Sequence, residues 1–193
     1  MTEPRETHRV EVGGVVRDLP LLEVAPGVRI AFLDCLVDAE FTRAAAQALA
    51  AKLAPYRPQV FVTPEAKSIP LAYALAIDLG CEFITLRKML KPYMTNPISV
   101  RTRSITSAAA QTLYLDGRYA PRIADRRVVL VDDVISTGST LFAMQEMMDQ
   151  IGGNVVARAA IFTEGDAEQW KEIIALGHLP VFSSGDADET SSD

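Results

Sequence analysis

Apolar residues fall along this chain in short blocks whose spacing changes repeatedly. Brief β-branched runs at 10–16, 28–32 and 59–62 predict strands. Ala39–Leu53 is rich in alanine and long enough for a helix of four turns. Ile69–Leu79 predicts a second helix, closed by Gly80, with a strand at Glu82–Leu86 after it. Pro92 and Pro97 break residues 88–97 into a loop. The segments 100–106 and 111–115 suit a pair of strands, and 128–131 is a compact aliphatic strand. Ser139–Ile151 predicts a helix stopped by Gly152 and Gly153. A strand at 155–162 and a helix at 167–176 complete the series. Short aliphatic strands alternating with helices imply an α/β fold: a doubly wound, mainly parallel sheet with helices on both faces. Such sheets bind ligands outside the carboxyl ends of their strands, where the strand order reverses. Each strand-to-helix turn is therefore a candidate site.

Composition narrows the classes. The 193 residues suit one domain, taken as 10–182, with disorder expected at 1–9 and in the small, acidic tail 183–193. Nineteen Lys and Arg against 25 Asp and Glu give a formal net charge of -6. That balance argues against wrapping nucleic acid or docking on anionic membrane, both of which need basic surfaces. The two cysteines, Cys35 and Cys81, lie in apolar stretches, so neither a disulfide framework nor a zinc site is expected. The first nine residues are polar, unlike a secretory leader, and no apolar run is long enough to cross a membrane. A cytoplasmic location is the expectation. His8 and His178 lie near the ends with no motif around them, and Met144, Met147 and Met148 suit packing beside a helix.

One turn concentrates chemistry. The strand Val128-Val129-Leu130-Val131 runs into Asp132-Asp133, then Val134-Ile135-Ser136-Thr137-Gly138-Ser139-Thr140, then a helix. Two carboxylates are delivered into the crevice. Gly138 permits close backbone approach or a positive φ. The unpaired N–H groups of the helix start carry partial positive charge and suit a phosphate. The helix field adds about 0.3–1 kcal/mol, and each hydrogen bond to a charged group about 1.5–3 kcal/mol. A helix cap alone would explain one hydroxyl, not paired acids followed by four. Neither a Walker loop nor a dinucleotide fingerprint is present. Acids beside a phosphate seat would repel a bare phosphate but accept from sugar hydroxyls, so a ribose 5-phosphate fits the whole turn.

Residues 128–140 resemble the 5-phosphoribosyl-1-diphosphate (PRPP) signature of the type I phosphoribosyltransferases, and the likeness extends over roughly 15–165. It implies that Asp132 and Asp133 hold the ribose and that residues Val134, Ile135, Ser136, Thr137, Gly138, Ser139 and Thr140 hold the 5-phosphate. The turn Thr63-Pro64-Glu65-Ala66-Lys67-Ser68-Ile69-Pro70 resembles the family's diphosphate loop, which is often built around a cis peptide. The likeness assigns Glu65, Ala66, Lys67 and Ser68 to the diphosphate. Arg87 and Lys88 resemble the pair that opens the family's mobile catalytic loop, with Lys91 beside the diphosphate. Cations there suit a leaving group whose charge grows as its bond breaks. The family also implies Mg2+ carried by PRPP, a small N-terminal hood, a homodimer with Tyr93 near its interface, and a base pocket including Val24 and Phe162.

The base stays open. Arg17-Asp18-Leu19-Pro20 and Ala25-Pro26-Gly27-Val28 resemble the base-covering region of adenine phosphoribosyltransferases, yet the usual Tyr-x-Leu-Glu-Tyr-Gly is missing. Val100-Arg101-Thr102-Arg103-Ser104-Ile105-Thr106 is closer to the xanthine type. Against that type, Ile161-Phe162-Thr163 leads to Glu164-Gly165 with no lysine for an oxo group. Adenine is slightly favoured, with xanthine and hypoxanthine/guanine as alternatives. Lys67-Ser68-Ile69-Pro70-Leu71-Ala72-Tyr73-Ala74 also resembles the bacterial purine repressor, which keeps the fold without catalysis. A PRPP-sensing regulator is thus the second class of function.

Overall fold

A computed structural model describes residues 6–102 and 111–183. Its elements are β1 (Thr7–Val12), β2 (Val15–Ala25), β3 (Val28–Ala31), α1 (Ala39–Leu53), β4 (Val60–Pro64), α2 (Ile69–Leu79) and β5 (Glu82–Leu86). There follow β6 (Ile98–Arg101), β7 (Thr112–Leu115), β8 (Arg127–Ile135), α3 (Ser139–Ile151), β9 (Asn154–Glu164), β10 (Ile174–Leu179) and β11 (Val181–Ser183). Among the described residues, no helix is long and apolar enough to cross a membrane.

The central sheet runs β10-β9-β8-β4-β5, with every neighbouring pair parallel. Side chains alternate between its faces. Phe61, Val129, Val131 and Ile161 face α1 and α2, packing with Phe41, Leu49, Leu71 and Leu75. Val60, Val62, Val128 and Leu130 face α3 and pack with Leu141, Met144, Met147 and Met148. Burying each large aliphatic side chain contributes about 1.5–3 kcal/mol. The three helices are delimited as their sequence predicts. Asp38 caps α1 by accepting from Phe41 N at 3.0 Å, while Gly80 and Gly152 end α2 and α3 in left-handed conformation. From β4 the chain builds outward to β5 on one side. It returns as β8 on the other side and continues to β9 and β10. The carboxyl ends of β4 and β8 therefore flank the point where strand order reverses.

Four expectations need correction. Residues 7–9, expected to be disordered, pair with β2 in the register Thr7↔Pro20 to Arg9↔Asp18. The Gly13-Gly14 turn folds the first strand back on itself. The hood is not purely N-terminal, because β11 adds to β3 in a four-stranded sheet ordered β1-β2-β3-β11. Ser183 thus belongs to a strand rather than to a tail, and the remaining tail, 184–193, lies outside the described residues. The segment 167–176 is not a helix. Ala167–Trp170 makes one 3-10 turn, and Ile174–Leu179 extends beside β9. An open edge on β9 gains a full ladder of hydrogen bonds that a surface helix would not supply. The predicted strand pair forms as β6 and β7, antiparallel, with 103–106 outside the described residues.

Candidate active site

β8 runs farther than its aliphatic core suggests. Val134 and Ile135 still pair with Phe162 and Thr163 of β9, so the turn proper is Ser136–Gly138. Ile135 turns its side chain into the core at 3% exposure. It therefore offers backbone, not side chain, to any ligand. Asp132 and residues 134–141 line a cavity of about 120 Å3. No side chain caps α3. Thr137 Oγ1 donates to Ser139 Oγ at 3.2 Å and accepts a long bond from Ser139 N at 3.5 Å, so the start of α3 is held only weakly from within the turn, beside the cavity. Gly138 adopts φ +74°. A Cβ there would also overlap the Trp170 indole and come within 3.1 Å of Phe142 Cε2.

The two acids have different surroundings. Asp132 Oδ1 accepts from Asp133 N at 2.9 Å. Burial, reinforced by the Asp133 charge, pushes the Asp132 carboxyl well above the usual range. Asp133 is 6% exposed. Its Oδ2 lies 2.9 Å from Lys67 Nζ, but the approach is off the hydrogen-bonding direction, so that oxygen has a charge partner without an aligned donor. Lys67 also donates to Leu33 O at 3.2 Å and sits 5.1 Å over the Phe32 ring. Burial pulls the Lys67 ammonium down, and the Asp133 carboxylate more than reverses this. Lys67 is thereby tied to Asp133 and the foot of the hood. Cys35 is buried beside them, and burial together with the Asp133 charge pushes its thiol up to about 12. It stays neutral and unreactive near pH 7.

The β4–α2 turn faces this pair. The Glu65–Ala66 peptide is cis, as the family resemblance implies. Ser68 is 1% exposed, receives the Thr63 hydroxyl at 2.8 Å and donates to Pro64 O at 3.1 Å. Its hydroxyl thus knits the turn together and also favours the ionised form of the Asp132 carboxyl across the crevice. Glu65 likewise corrects its expected part. Its carboxylate takes Arg87 Nη1 at 2.9 Å and Lys88 N at 2.7 Å. Burial raises the Glu65 pKa, but the Lys88 N–H and Arg87 guanidinium outweigh it and hold the group below its ordinary value. An acid so placed orients the cations and does not itself grip an anion. Arg87 is further fixed by backbone bonds to Tyr114 at 2.8 and 2.7 Å. The Lys88 side chain is exposed, and Lys91 is close enough to Glu65 to favour its ionised form.

The base-pocket expectation fares less well. Phe162 is 3% exposed with its ring centroid 6.3 Å from that of Phe41, so it belongs to the core under α1. Val24 is 57% exposed at a bulge in β2. An aromatic face does reach the Asp133 partner: Phe32, one residue past β3, lies under the Lys67 ammonium. His178 is exposed, as expected of a surface residue, and its ring nitrogens lie 3.0 Å from Thr163 Oγ1 and 3.1 Å from Gly165 O. A larger cavity of about 240 Å3 lies along β5, but its one acid, Asp116, is already bound by Arg118.

Fold and site together define a class: a parallel-sheet protein with a strand-to-helix turn whose form suits a phosphate, beside acids whose form suits a sugar. Residues 36–176 match the model of the phosphoribosyl transferase domain. The chain belongs to the phosphoribosyltransferase family. The adenine phosphoribosyltransferase of Neisseria meningitidis serogroup B is 30% identical over 178 residues, 90% of this chain and 91% of that one. The xanthine phosphoribosyltransferase of Chloroflexus aurantiacus is 27% identical over 152 residues, 79% of this chain and 71% of that one. In fold, the APRTase of Giardia lamblia complexed with 9-deazaadenine matches with a TM-score of 0.68 at 18% identity, covering 83% of this chain and 93% of that one.

Proposed function

We propose that this phosphoribosyltransferase moves the 5-phosphoribosyl group of PRPP to a purine base, adenine before the others. The products are a nucleoside monophosphate and diphosphate. The observation that carries the reading is the run of acids into an uncapped turn: a ribose seat and a phosphate seat in thirteen consecutive residues, 128–140. The 5-phosphate sits on the N–H groups of 136–140, and the ribose hydroxyls donate to Asp132 and Asp133. The diphosphate lies against the backbone of 66–68 with Arg87, Lys88 and Lys91 beside it. The C1–O bond to the diphosphate breaks ahead of the C1–N bond that forms to the base. The ring nitrogen then gives up its proton to water. The acids stabilise the positive charge that builds on the sugar, and the cations take up the negative charge of the departing diphosphate.

No three His, Cys, Asp or Glu side chains converge on a metal position among the described residues, and Asp133 already faces an ammonium. Among the described residues no cage forms, which suits Mg2+ arriving as part of Mg-PRPP, still largely hydrated. Thr163 at the end of β9 is held by His178 and brings no cation to the base, which favours adenine. One observation favours an oxopurine: Lys67 stands over Phe32 at the foot of the hood, within reach of an exocyclic oxygen. A homodimer is proposed from the exposed Tyr73, Ile77, Leu90 and Tyr93 around the edge strand β5, and a reducing cytoplasm from the two free thiols.

Purified protein mixed with Mg2+, PRPP and one base at a time tests the reading, with diphosphate release as the signal. Fastest release is expected with adenine. Fastest release with xanthine or guanine moves the assignment to an oxopurine. Tight PRPP binding with no release for any base replaces the enzyme with a sensor.

A further inference from the structure

The phosphate turn has little holding it from within. Its helix lacks a side-chain cap at Gly138, the bonds within it are the long Thr137–Ser139 pair at 3.2 and 3.5 Å, and Gly138 is the most conformationally free residue type. What holds the turn comes from below. The Trp170 indole fills the space that a Cβ on Gly138 would need, and Phe142 closes the same space from the helix side. Trp170 is 5% exposed. Its Nε1 donates to Glu164 O at 3.0 Å, pinning the ring to the end of β9. β9 is paired with β8 up to the residue before the turn, so the indole braces the turn against the neighbouring strand. The 3-10 turn that presents Trp170 is fixed in its own right by Asp166, which accepts from Glu168 N at 3.0 Å.

We propose that Trp170 is the positioning residue of the 5-phosphate turn, setting the depth at which Gly138 and the first N–H groups of α3 meet the phosphate. The proposal rests on the reading of that turn given above and deepens it. An aromatic floor keeps water from beneath the backbone amides and holds them aimed before the ligand arrives, which lowers the ordering cost of binding. Trp170 never touches the phosphate, and acts only through the peptide units above it.

Trp170 is the sole tryptophan of the chain, so its fluorescence reports on this contact alone. The experiment titrates the full-length protein with ribose 5-phosphate and, separately, with diphosphate, following emission and calorimetric affinity. Emission is expected to shift to saturation with ribose 5-phosphate and to stay unchanged with diphosphate. Trp170→Ala is expected to weaken ribose 5-phosphate about tenfold, equivalent to about 1.4 kcal/mol, and diphosphate less than about twofold. In turnover the loss falls on KM for PRPP and spares kcat, and Trp170→Phe restores most of it. The wild-type emission arm needs no variant and decides even where Trp170→Ala does not fold. Unmoved emission at calorimetric saturation overturns the assignment. So does a folded Trp170→Ala that binds both ligands like wild type or loses both equally. Wild-type protein that binds no ribose 5-phosphate overturns the reading of the turn, and this assignment with it.

Discussion

The two ends of the proposed PRPP site are built by opposite means. At the β8–α3 end, one stretch of chain lines the cavity with its own backbone and hydroxyls, tied to each other only by the long Thr137–Ser139 bonds. At the β4–α2 end two of the charges, Lys67 and Arg87, are already partnered by acids. Glu65 holds Arg87, and Asp133 holds Lys67. The first end is ready for an anion as it stands. The second must exchange one set of ionic contacts for another when the diphosphate arrives. The contrast suits the chemistry, since the 5-phosphate is an anchor throughout and the diphosphate is gripped, then released.

The largest effect is expected at the acids that join the two ends. Asp133→Asn removes a charged acceptor, a loss of about 1.5–3 kcal/mol, and should cut turnover by roughly 10–100-fold in a steady-state assay. Next comes Gly138→Ala, which forces a side chain into positive φ and into the Trp170 indole. It should lower the melting temperature, with a destabilisation above about 1 kcal/mol, and weaken ribose 5-phosphate while sparing diphosphate. Equal weakening of both ligands would erase the contrast.

Smaller effects probe the partnered end. Arg87→Ala should raise KM for PRPP by about tenfold, near the lower end for one charged contact, and Glu65→Gln, which loosens Arg87 without removing it, by about threefold. The double variant should be no worse than Arg87→Ala, because Glu65 acts through Arg87. Additive losses would show that Glu65 works independently.

The smallest effects are on stability, and the two ends should titrate in opposite senses. The folded-state pKa of Asp132 is raised, so proton loss is harder in the folded protein than in the unfolded chain. Stability therefore falls as pH climbs from the ordinary carboxylate range through that folded value. Asp132→Asn should make the ligand-free protein melt higher at neutral pH, with the difference closing in acid, even as activity is lost. Glu65 is depressed, so its contribution is full above the unfolded value and disappears as pH falls through the folded one. Glu65→Gln should blunt that acid-side loss in calorimetric melts.

The same contrast explains what was legible in the sequence. Asp132 to Thr140 is local, so one reading of strand, acids, glycine and helix start sufficed. The helices followed from caps and periodicity. The engagement of Lys67 with Asp133 and Phe32 had no local mark, because three separate segments meet there only after the sheet forms. Glu65 looked like a diphosphate ligand because its turn matched, while its partner at Arg87 depended on the pairing of β4 with β5. Trp170 was hidden within a stretch whose helix propensity was overridden by the free edge of β9. The alternation Ile174-Ala175-Leu176-Gly177-His178-Leu179 could have announced that strand. Phe162 and Val24 were transferred by resemblance alone, and the fold put one in the core and the other in solvent.

The most direct test is a phosphorus NMR time course of Mg-PRPP with adenine, wild type beside Asp133→Asn. The expected result is that PRPP signals give way to equal amounts of nucleoside monophosphate and free diphosphate, with the variant slower by at least about tenfold. PRPP signals that persist in the wild type with every purine, or a variant that keeps pace, would contradict the account.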